Sequence, residues 1–271
     1  MPQTPTHQII TTLKQYRVLT FNGEHVRDYL QGQLTCDLRA LQVGHGALFA
    51  YCNHKGRALA TGFILFETLQ TYHLILHHSL IETLQIRFTR SAVLSSVEVH
   101  SNLNNAALYP IDNAPPSALK TQTLTYALGL STSEQHNPSI EHEWHDQVLR
   151  AGYPMIEASS SDLYTPHMLN LPLITLQETP AVSLTKGCYV GQEIVSRIHH
   201  QGQNKKIFRV YRTTTSLPPP PLELLDHSKN LCGQSFQHTH TQHESHLGGI
   251  SRTAAQWVIV DDQPILLSHT E

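Results

Sequence analysis

Turn-forming residues cut the apolar residues of this chain into short runs, and this pattern limits the fold more than any other feature. Two runs, Gly46–Cys52 and Ala58–Phe66, flank a short connection that contains a glycine, which is typical of a β-hairpin. Between Glu24 and Leu34 the apolar residues instead recur at helical spacing. Strand and helix patterns mix without strict alternation, so the sequence favours an α+β fold over a doubly wound sheet.

The remaining patterns extend this prediction to the rest of the chain. Strands are predicted at Tyr16–Phe21, Tyr72–His77, Val93–Val99, Leu124–Leu130 and Lys206–Thr214, and helices at Ser79–Phe88, Ser139–Gly152 and from the Lys186 segment to Ile198. The stretch Leu103–Gln122 is rich in Asn and Pro and predicts a loop. After Gly202 come a proline run and several short strands, which predict a small β-barrel or sandwich.

Composition narrows the class of protein. The chain has 271 residues, 39% hydrophobic and 14% charged, which is enough apolar material for a core. A net charge of −3 gives no global field that would attract nucleic acid. Its four cysteines lack the spacing of a disulfide framework or a zinc ribbon, and no apolar run approaches the length of a membrane helix. We therefore expect a cytoplasmic protein with no membrane segment, signal peptide or transit peptide.

One segment, Lys186–Glu193, concentrates chemically capable residues; we call it the signature segment. Gly187 and Gly191 flank Cys188, and a helix is predicted to follow. The positive end of a helix and the neighbouring Lys186 would both stabilise a Cys188 thiolate. A cysteine is also among the most buried residue types, so a purely structural Cys188 fits the local pattern equally well.

The signature segment reads Lys-Gly-Cys-Tyr-Val-Gly-Gln-Glu and resembles the signature of the YgfZ family. Other motifs of that family resemble this chain in the same order. They are Asn22-Gly23-Glu24, Tyr29–Asp37, Lys55-Gly56-Arg57, Ala151–Pro154, Pro166–Leu171, and the spaced residues Arg197, Gly202, Lys205 and Lys206. The resemblance covers nearly the whole chain.

This resemblance implies a fold similar to the aminomethyltransferase T-protein of glycine cleavage, with three domains around a central opening. Residues 1–46 and 139–201 would form a discontinuous folate-binding domain, 47–138 a ferredoxin-like inserted domain, and 202–271 a C-terminal β-barrel. The opening would bind tetrahydrofolate or a derivative. The implied partners are iron–sulfur client enzymes such as a tRNA methylthiotransferase, which the protein would help to assemble or repair.

The resemblance also assigns roles to residues. Cys188 would be the functional thiol, with Lys186 and Glu193 beside it. The residues expected to contact tetrahydrofolate are Tyr189, Gly187, Gly191, Gln192, Arg197, Asp146, Gln33, Thr35 and Asp37. Glu193 and Arg197 are spaced to form an ion pair on one helix face.

Two departures from the family pattern bear on this assignment. Cys36 stands where the family often has Asn. Arg150 replaces a glutamate with which the aminomethyltransferases hold the pterin. The loss of that acid argues against aminomethyl transfer, although Asp146 or Glu193 could take its place. A non-enzymatic assembly factor is therefore favoured over a tetrahydrofolate-dependent one-carbon transferase.

Two further alternatives come from other parts of the sequence. His238, His240 and His243 could share a metal ion if they lay on a strand, but their polar surroundings are equally typical of a loop. Lys205, Lys206, Arg209 and Arg212 lie among aromatic residues, a pattern that can bind single-stranded nucleic acid. At a net charge of −3, a strand with a solvated face explains them better, so direct nucleic-acid binding is not expected.

Overall fold

A computed structural model describes residues 7–101, 103–202, 205–241 and 243–269. Its four α-helices are α1 (Val26–Gln31), α2 (Ile81–Ala92), α3 (Pro138–Arg150) and α4 (Gln192–Gln201). Short 3-10 turns occupy His78–Leu80, Val93–Ser95, Ile111–Asn113 and Leu171–Leu173. Within these described ranges, no helix is both long enough and apolar enough to span a bilayer.

Seventeen strands supply most of the regular structure of the described residues. They are β1 (Thr11–Thr12), β2 (Tyr16–Asn22), β3 (Gly46–Cys52), β4 (Ala58–Thr68), β5 (Thr71–His77), β6 (Glu98–Ser101), β7 (Asn105–Pro110), β8 (Tyr126–Ser131), β9 (Thr175–Leu176), β10 (Thr179–Pro180), β11 (Ile207–Thr213), β12 (Glu223–Leu225), β13 (Leu231–His240), β14 (Ser245–Ser251), β15 (Trp257–Val260), β16 (Gln263–Leu266) and β17 (Ser268–His269). The mixed α+β class predicted from the sequence is confirmed.

A five-stranded antiparallel sheet in the order β3-β4-β5-β2-β6 forms the largest core. Helix α2 packs on one face, where Phe88 meets Phe21 edge-to-face at 5.1 Å. Helix α3 packs on the other face, where the ring centroid of Trp144 lies 6.1 Å from that of Phe63. Because both faces are covered, β3 and most of β4 are continuously buried, which explains their uninterrupted apolar sequences.

Local signals account for the position of α3. Asn137 accepts hydrogen bonds from the backbone N–H groups of Ser139 and Ile140, and Pro138 occupies the first turn. An Asn cap satisfies N–H groups that have no partner inside the helix, and proline is tolerated there because its missing N–H is not needed. The predicted helix at Ser139–Gly152 is confirmed, with its start one residue earlier.

The C-terminal residues form a separate all-β layer. Seven strands pair antiparallel in the order β16-β15-β12-β13-β14-β11-β17, giving a half-barrel sheet. Tyr211, Leu224, Leu247 and Val258 belong to its own apolar core. A side chain at Gly248 would approach Leu149 of α3 to 2.8 Å, so a glycine there lets the helix lie close against β14.

Two secondary-structure predictions are wrong in part. The expected strand at Val93–Val99 begins instead as a 3-10 turn, and strand structure starts only at Glu98. The expected loop Leu103–Gln122 contains β7, which pairs with β8 and β1. Isolated strand signals fail here because pairing with distant strands decides the conformation.

The largest sheet also bears on the predicted domains. Strand β2, from segment 1–46, pairs with β5 and β6 of segment 47–138. The first two predicted domains therefore share one sheet and one core cluster. The division into domains stays a prediction.

Candidate functional site around Cys188

The signature segment is a tight turn that leads into α4 and lies against the loop after α1. The N–H of Val190 donates to the carbonyl of Gly32 at 3.2 Å, and the N–H of Ser183 donates to the carbonyl of Thr35 at 2.9 Å. Two stretches that lie far apart in the sequence are therefore joined by their backbones at this point.

Lys186 is the main anchor of this turn. Its side chain is buried, and Nζ donates to the carbonyl oxygens of Gln31, Leu34 and Cys36 at 2.7, 2.7 and 2.8 Å. Three carbonyls match the three N–H groups of an ammonium, so none remains for a neighbouring thiolate. The role predicted for Lys186, stabilising the thiolate of Cys188, is not what these contacts provide.

Burial lowers the pKa of Lys186 to about 8, although the nearby Cys36 and Asp37 act in the opposite direction. The ammonium also lies 5.1 Å from the centroid of the Tyr189 ring, within the range of a cation–π contact. These contacts make Lys186 an internal cross-link between the signature segment and the loop after α1.

Gly191 fixes the other end of the turn. Its φ of +83° is in the left-handed region, and an added Cβ would come within 2.5 Å of the carbonyl oxygen of Asn53. The turn of the β3–β4 hairpin lies directly against it, since a side chain at Gly56 would in turn strike Ile194 of α4 at 2.8 Å. Only glycines permit this close approach. The signature segment and the Lys55-Gly56-Arg57 turn therefore contact each other through Gly191 and Gly56.

Cys188 lies between these two anchors and is exposed. The adjacent Gly187 has nothing within 4 Å of its would-be side chain, so the surface around the thiol is open. Cys36 and Cys52 are fully buried, and burial raises the pKa of each to about 12. Cys232 is also buried. Cys188 is thus the accessible thiol of the described residues.

The first turn of α4 brings several predicted residues close to Cys188. The amide of Gln192 donates to the carbonyl of Lys186 at 3.3 Å, which closes the turn. Glu193 and Arg197 are both exposed. No ion pair joins these two side chains in the described structure, so the predicted Glu193–Arg197 pair is not formed.

Tyr189 is buried, in contrast to the exposed thiol of Cys188 beside it. It is only 6% exposed, and burial followed by the proximity of Cys52 raises the pKa of its phenol. Its hydroxyl is buried and has no hydrogen-bond partner among the described residues. Tyr189 therefore packs into the core beneath the turn.

The predicted ligand contacts in the N-terminal segment differ in accessibility. Thr35 is fully buried, and its hydroxyl donates to the carbonyl of Ala181 and accepts from the N–H of Ala50. Asp37 is partly buried and accepts from the side-chain amide of Gln31 at 2.8 Å. Gln33 is partly buried. Thr35 thus acts within the fold, whereas Gln33 and Asp37 keep some exposed surface.

Asp146 lies in a different environment, between α3 and the C-terminal sheet. It accepts hydrogen bonds from Thr239 at 2.6 Å and His246 at 2.7 Å, and Arg150 lies 3.8 Å away. Burial acts to raise the pKa of Asp146, but those hydrogen bonds and the charges of His246 and Arg150 hold it below its usual value. The carboxylate is engaged within the protein, and Arg150 is exposed beside it.

The histidines of the metal alternative do not converge. His238 and His240 lie on β13, and His243 is exposed beyond it. Across the described ranges, no group of three or more His, Cys, Asp or Glu side chains could hold a metal ion. The ring of His142 is instead hydrogen-bonded to the carbonyl oxygen of His240. The ring of His240 is itself hydrogen-bonded to the hydroxyl of Ser245.

Two further residues, Asn53 and Gln31, shape this site and were not among its predicted residues. Asn53 accepts hydrogen bonds from the N–H groups of Lys55 and Arg57 and so shapes the hairpin turn that supports Gly191. Gln31 fixes Asp37 and Leu38 with its amide. An Asn at the start of a glycine turn is a recognisable signal, but the buried Gln31 gives none.

Comparisons with known proteins support the resemblance seen in the motifs. A tRNA-modifying protein YgfZ of Vibrio atlanticus is 27% identical over 237 residues, covering 77% of this chain and 71% of the relative. A protein of the same name from Sodalis glossinidius is 26% identical, covering 81% and 76%. No family model matches the chain. The resemblance to the YgfZ family is confirmed.

The fold has a relative among solved structures. The glycine cleavage system aminomethyltransferase T of Bartonella henselae superposes with a TM-score of 0.69 over 95% of this chain and 83% of its own. Its sequence identity is 10%, so the likeness concerns the fold. The predicted T-protein-like fold is confirmed.

Proposed function

We propose that this chain is a cytoplasmic, tetrahydrofolate-binding accessory factor for the assembly or repair of iron–sulfur enzymes, including enzymes that modify tRNA. The similarity to proteins named as tRNA-modifying and the T-protein-like fold support this proposal. The observation that carries it is the geometry of the signature segment. An exposed thiol lies between a buried lysine anchor and a glycine whose left-handed backbone and close contact with Asn53 disfavour any side chain.

The arrangement suits a functional cysteine better than a structural one. A structural cysteine is packed in apolar surroundings, as Cys36 and Cys52 are here. Cys188 is exposed, yet the backbone on both sides of it is held by contacts to distant segments. A group that must meet a partner molecule in a defined orientation needs this combination of exposure and fixed backbone.

In this proposal the Cys188 thiolate binds iron of a client cluster as cargo. The thiol must first lose its proton, because the thiolate is the form that binds metals. Lys186 positions the turn, and Gln192 closes it onto the start of α4. Glu193 and Arg197 are exposed on that helix and are available to a client protein.

A ligand-sized cavity supports the folate part of the proposal. It is a half-open cleft of about 510 Å³ beside the hairpin turn, within the range of small-molecule sites. Arg57 and Lys206 line it, and their charge is opposite to that of the folate carboxylates. Among the described residues, its lining includes none of the tetrahydrofolate contacts that the resemblance implied, so those contacts remain a separate prediction.

The thiol is tested by Cys188→Ala in cells that depend on this protein. We expect a large loss of [4Fe–4S] enzyme activity and of tRNA methylthiolation, with protein abundance unchanged. Thr185→Ala, an exposed change in the same loop, is the matched control. Full retention of both activities by Cys188→Ala would exclude the proposed role.

Folate binding is tested separately, by calorimetry with tetrahydrofolate on the purified wild-type chain. We expect saturable binding at one site. Absence of any saturable signal would remove the ligand from the proposal. Turnover in a glycine-cleavage assay would favour the one-carbon transferase alternative, which the exposed Arg150 in the place of a glutamate argues against.

A further inference from the structure

A second cleft, of about 390 Å³, lies far from Cys188; we call it the Glu67 cleft. Glu67 and His73 line it from the five-stranded sheet, and Tyr109 and Ser131 line it from β7 and β8. Strand β4 begins at Ala58 beside the hairpin turn and reaches Glu67 nine residues later. At the usual rise of a strand, this separates the cleft from the hairpin turn by about 30 Å along β4.

A chain of hydrogen bonds crosses the buried face of the sheet and ends in this cleft. The hydroxyl oxygen of Thr20 lies 3.0 Å from Nδ1 of His73, and Nε2 of His73 lies 2.9 Å from Oε2 of Glu67. An ionised carboxylate only accepts hydrogen bonds, so Nε2 carries the hydrogen and Nδ1 accepts from Thr20. Burial lowers the pKa of His73 more than the neighbouring Glu67 raises it, which favours this neutral ring.

The accessible end of this chain is the carboxylate. Thr20 is only 4% exposed, so its hydroxyl cannot meet a substrate, whereas the side chain of Glu67 is 48% exposed. In the part of the chain that the structure describes, His73 is the one hydrogen-bond partner of the Glu67 carboxylate. The network therefore orients Glu67 in the cleft and leaves its other oxygen available to a ligand.

The lining of the cleft determines the sign of the charge that it attracts. Glu67 is the only Asp, Glu, Lys or Arg among the described lining residues, so the formal charge is −1 with histidines counted as neutral. Neutral hydrogen-bonding groups surround it: the hydroxyls of Ser117, Ser131 and Thr132 and the amide of Asn104. Such a lining repels anions and offers acceptor oxygens to a cation that donates hydrogen bonds.

We propose that the Glu67 cleft binds a primary ammonium group. Glu67 is its counter-ion, the neighbouring hydroxyls accept its remaining N–H groups, and His73 is the positioning residue that holds the carboxylate. Free aliphatic amines and the side chain of a lysine in another protein carry the same group. The volume lies at the lower end of the range for small-molecule sites, which favours a small free amine.

The test compares two glutamate variants of the full chain. Glu67→Gln keeps the shape of the side chain and removes the charge in the cleft. Glu98→Gln is the matched control, because Glu98 also contacts a histidine of the same sheet, His100 at 3.2 Å, but does not line the cleft. Calorimetry at low ionic strength measures binding of 1,4-diaminobutane, N-acetyl-lysine amide and inorganic phosphate, and circular dichroism checks that each variant is folded.

We expect 1,4-diaminobutane to saturate one site on the wild type. Glu67→Gln should raise its Kd at least about tenfold, because a charge-assisted hydrogen bond is lost. Glu98→Gln should change Kd by less than about twofold, as exposed charges usually do. Saturation by N-acetyl-lysine amide alone, with the same dependence on Glu67, would support the site and identify a protein lysine as the source.

Three results would overturn the inference. They are the absence of saturable binding by either amine, equal effects of the two glutamate variants, and saturation by phosphate. None of them bears on the Cys188 thiol, so the proposed function is tested independently of this cleft.

The positioning role of His73 has its own variant. Thr20→Val removes the hydroxyl that donates to Nδ1 but keeps the charge of Glu67. We expect the Kd for 1,4-diaminobutane to rise about threefold, as for loss of one hydrogen bond. Nitrogen-15 NMR of the ring should show hydrogen on Nε2 in the wild type and a mixture of tautomers in the variant. Lower stability with an unchanged Kd and an unchanged tautomer would overturn the positioning role.

Discussion

The signature turn and the contact between α3 and the C-terminal sheet both bury polar side chains, but they use them differently. At the turn, Lys186 and Thr35 bind backbone groups of other segments and leave Cys188 exposed. At the α3 contact, Asp146 and His246 bind each other, and Thr239 completes the set. Side chains that hydrogen-bond to backbone groups can hold a loop in place while another side chain of that loop stays exposed. Side chains that hydrogen-bond to one another leave no polar group available to a ligand.

Breaking the backbone of the turn should have the largest effect. Gly191→Ala places a Cβ 2.5 Å from the carbonyl oxygen of Asn53 at a φ of +83°. Overpacking and left-handed strain together should lower the free energy of unfolding by about 4 kcal/mol, measured by urea denaturation. Gly187→Ala, which meets nothing within 4 Å, should stay within about 0.5 kcal/mol. Equal effects of the two changes would contradict the described packing.

Loss of the buried Lys186 ammonium should have the second-largest effect on stability. Lys186→Met leaves three buried carbonyls without their donor and should lower the free energy of unfolding by about 3 kcal/mol. The alkylation rate of Cys188 should also change, because its loop loses one support. Lys55→Met, at an exposed lysine of the neighbouring hairpin, serves as the control. A Lys186→Met protein as stable as the control would disprove the anchoring role.

The α3 contact should be less sensitive. Asp146→Asn keeps an oxygen for Thr239 but removes the charge that faces His246, so we expect a loss of about 2 kcal/mol in unfolding free energy. The alkylation rate of Cys188 should stay at the wild-type value. A change in that rate comparable to the effect of Lys186→Met would show that the two regions are coupled rather than distinct.

The smallest expected effect is a change in pH dependence at His145 of α3, whose ring packs edge-on against Tyr16 of β2. Burial, then the neighbouring His142 and His77, lower the pKa of His145 from 6.5 to about 3. Glu141 lies 4.0 Å from its Nε2, too far for a hydrogen bond that would favour protonation. As pH falls below 6.5 the unfolded state therefore binds a proton first, and stability is lost between pH 6.5 and about 3.

His145→Gln should accordingly lose less stability on acidification. Between pH 7.5 and 5.5 the difference from the wild type should be on the order of 1 kcal/mol in unfolding free energy, measured by denaturant titration at each pH. His200→Gln, an exposed histidine on α4, should follow the wild-type curve. Identical acid dependence in His145→Gln would mean that this ring is not held neutral by burial.

Local signals predicted the elements that carry the site. The β3–β4 hairpin follows from two apolar runs around a glycine turn, and α3 follows from its apolar stripe. Such elements are specified by neighbouring residues, so the sequence predicts them. Strand β7 depends on β1 and β8, which lie elsewhere in the chain, and no local pattern in its Asn-rich surroundings indicated it.

Where the prediction from the sequence was wrong, residues depart from the burial that is usual for their type. Val93 and Leu94 are 71% and 98% exposed, although apolar pairs usually indicate a buried strand. Lys186 is buried, although lysines rarely are unless they find partners. Its partners are backbone carbonyls, which every sequence contains, so nothing in the residue types could identify them. The contact of Gly56 with α4 likewise joins residues far apart in the sequence, and the sequence alone does not predict it.

The three acceptors of Lys186 also set an order of events during synthesis. They precede the lysine by 155, 152 and 150 residues. When the first helix emerges from the ribosome, the ammonium group of Lys186 has not yet been synthesised. These carbonyls therefore lack their hydrogen-bond donor until more than half of the chain has been translated. Long-range contacts of this kind form late in folding. The exposed cysteine is therefore set in place only after the N-terminal half of the protein is already built.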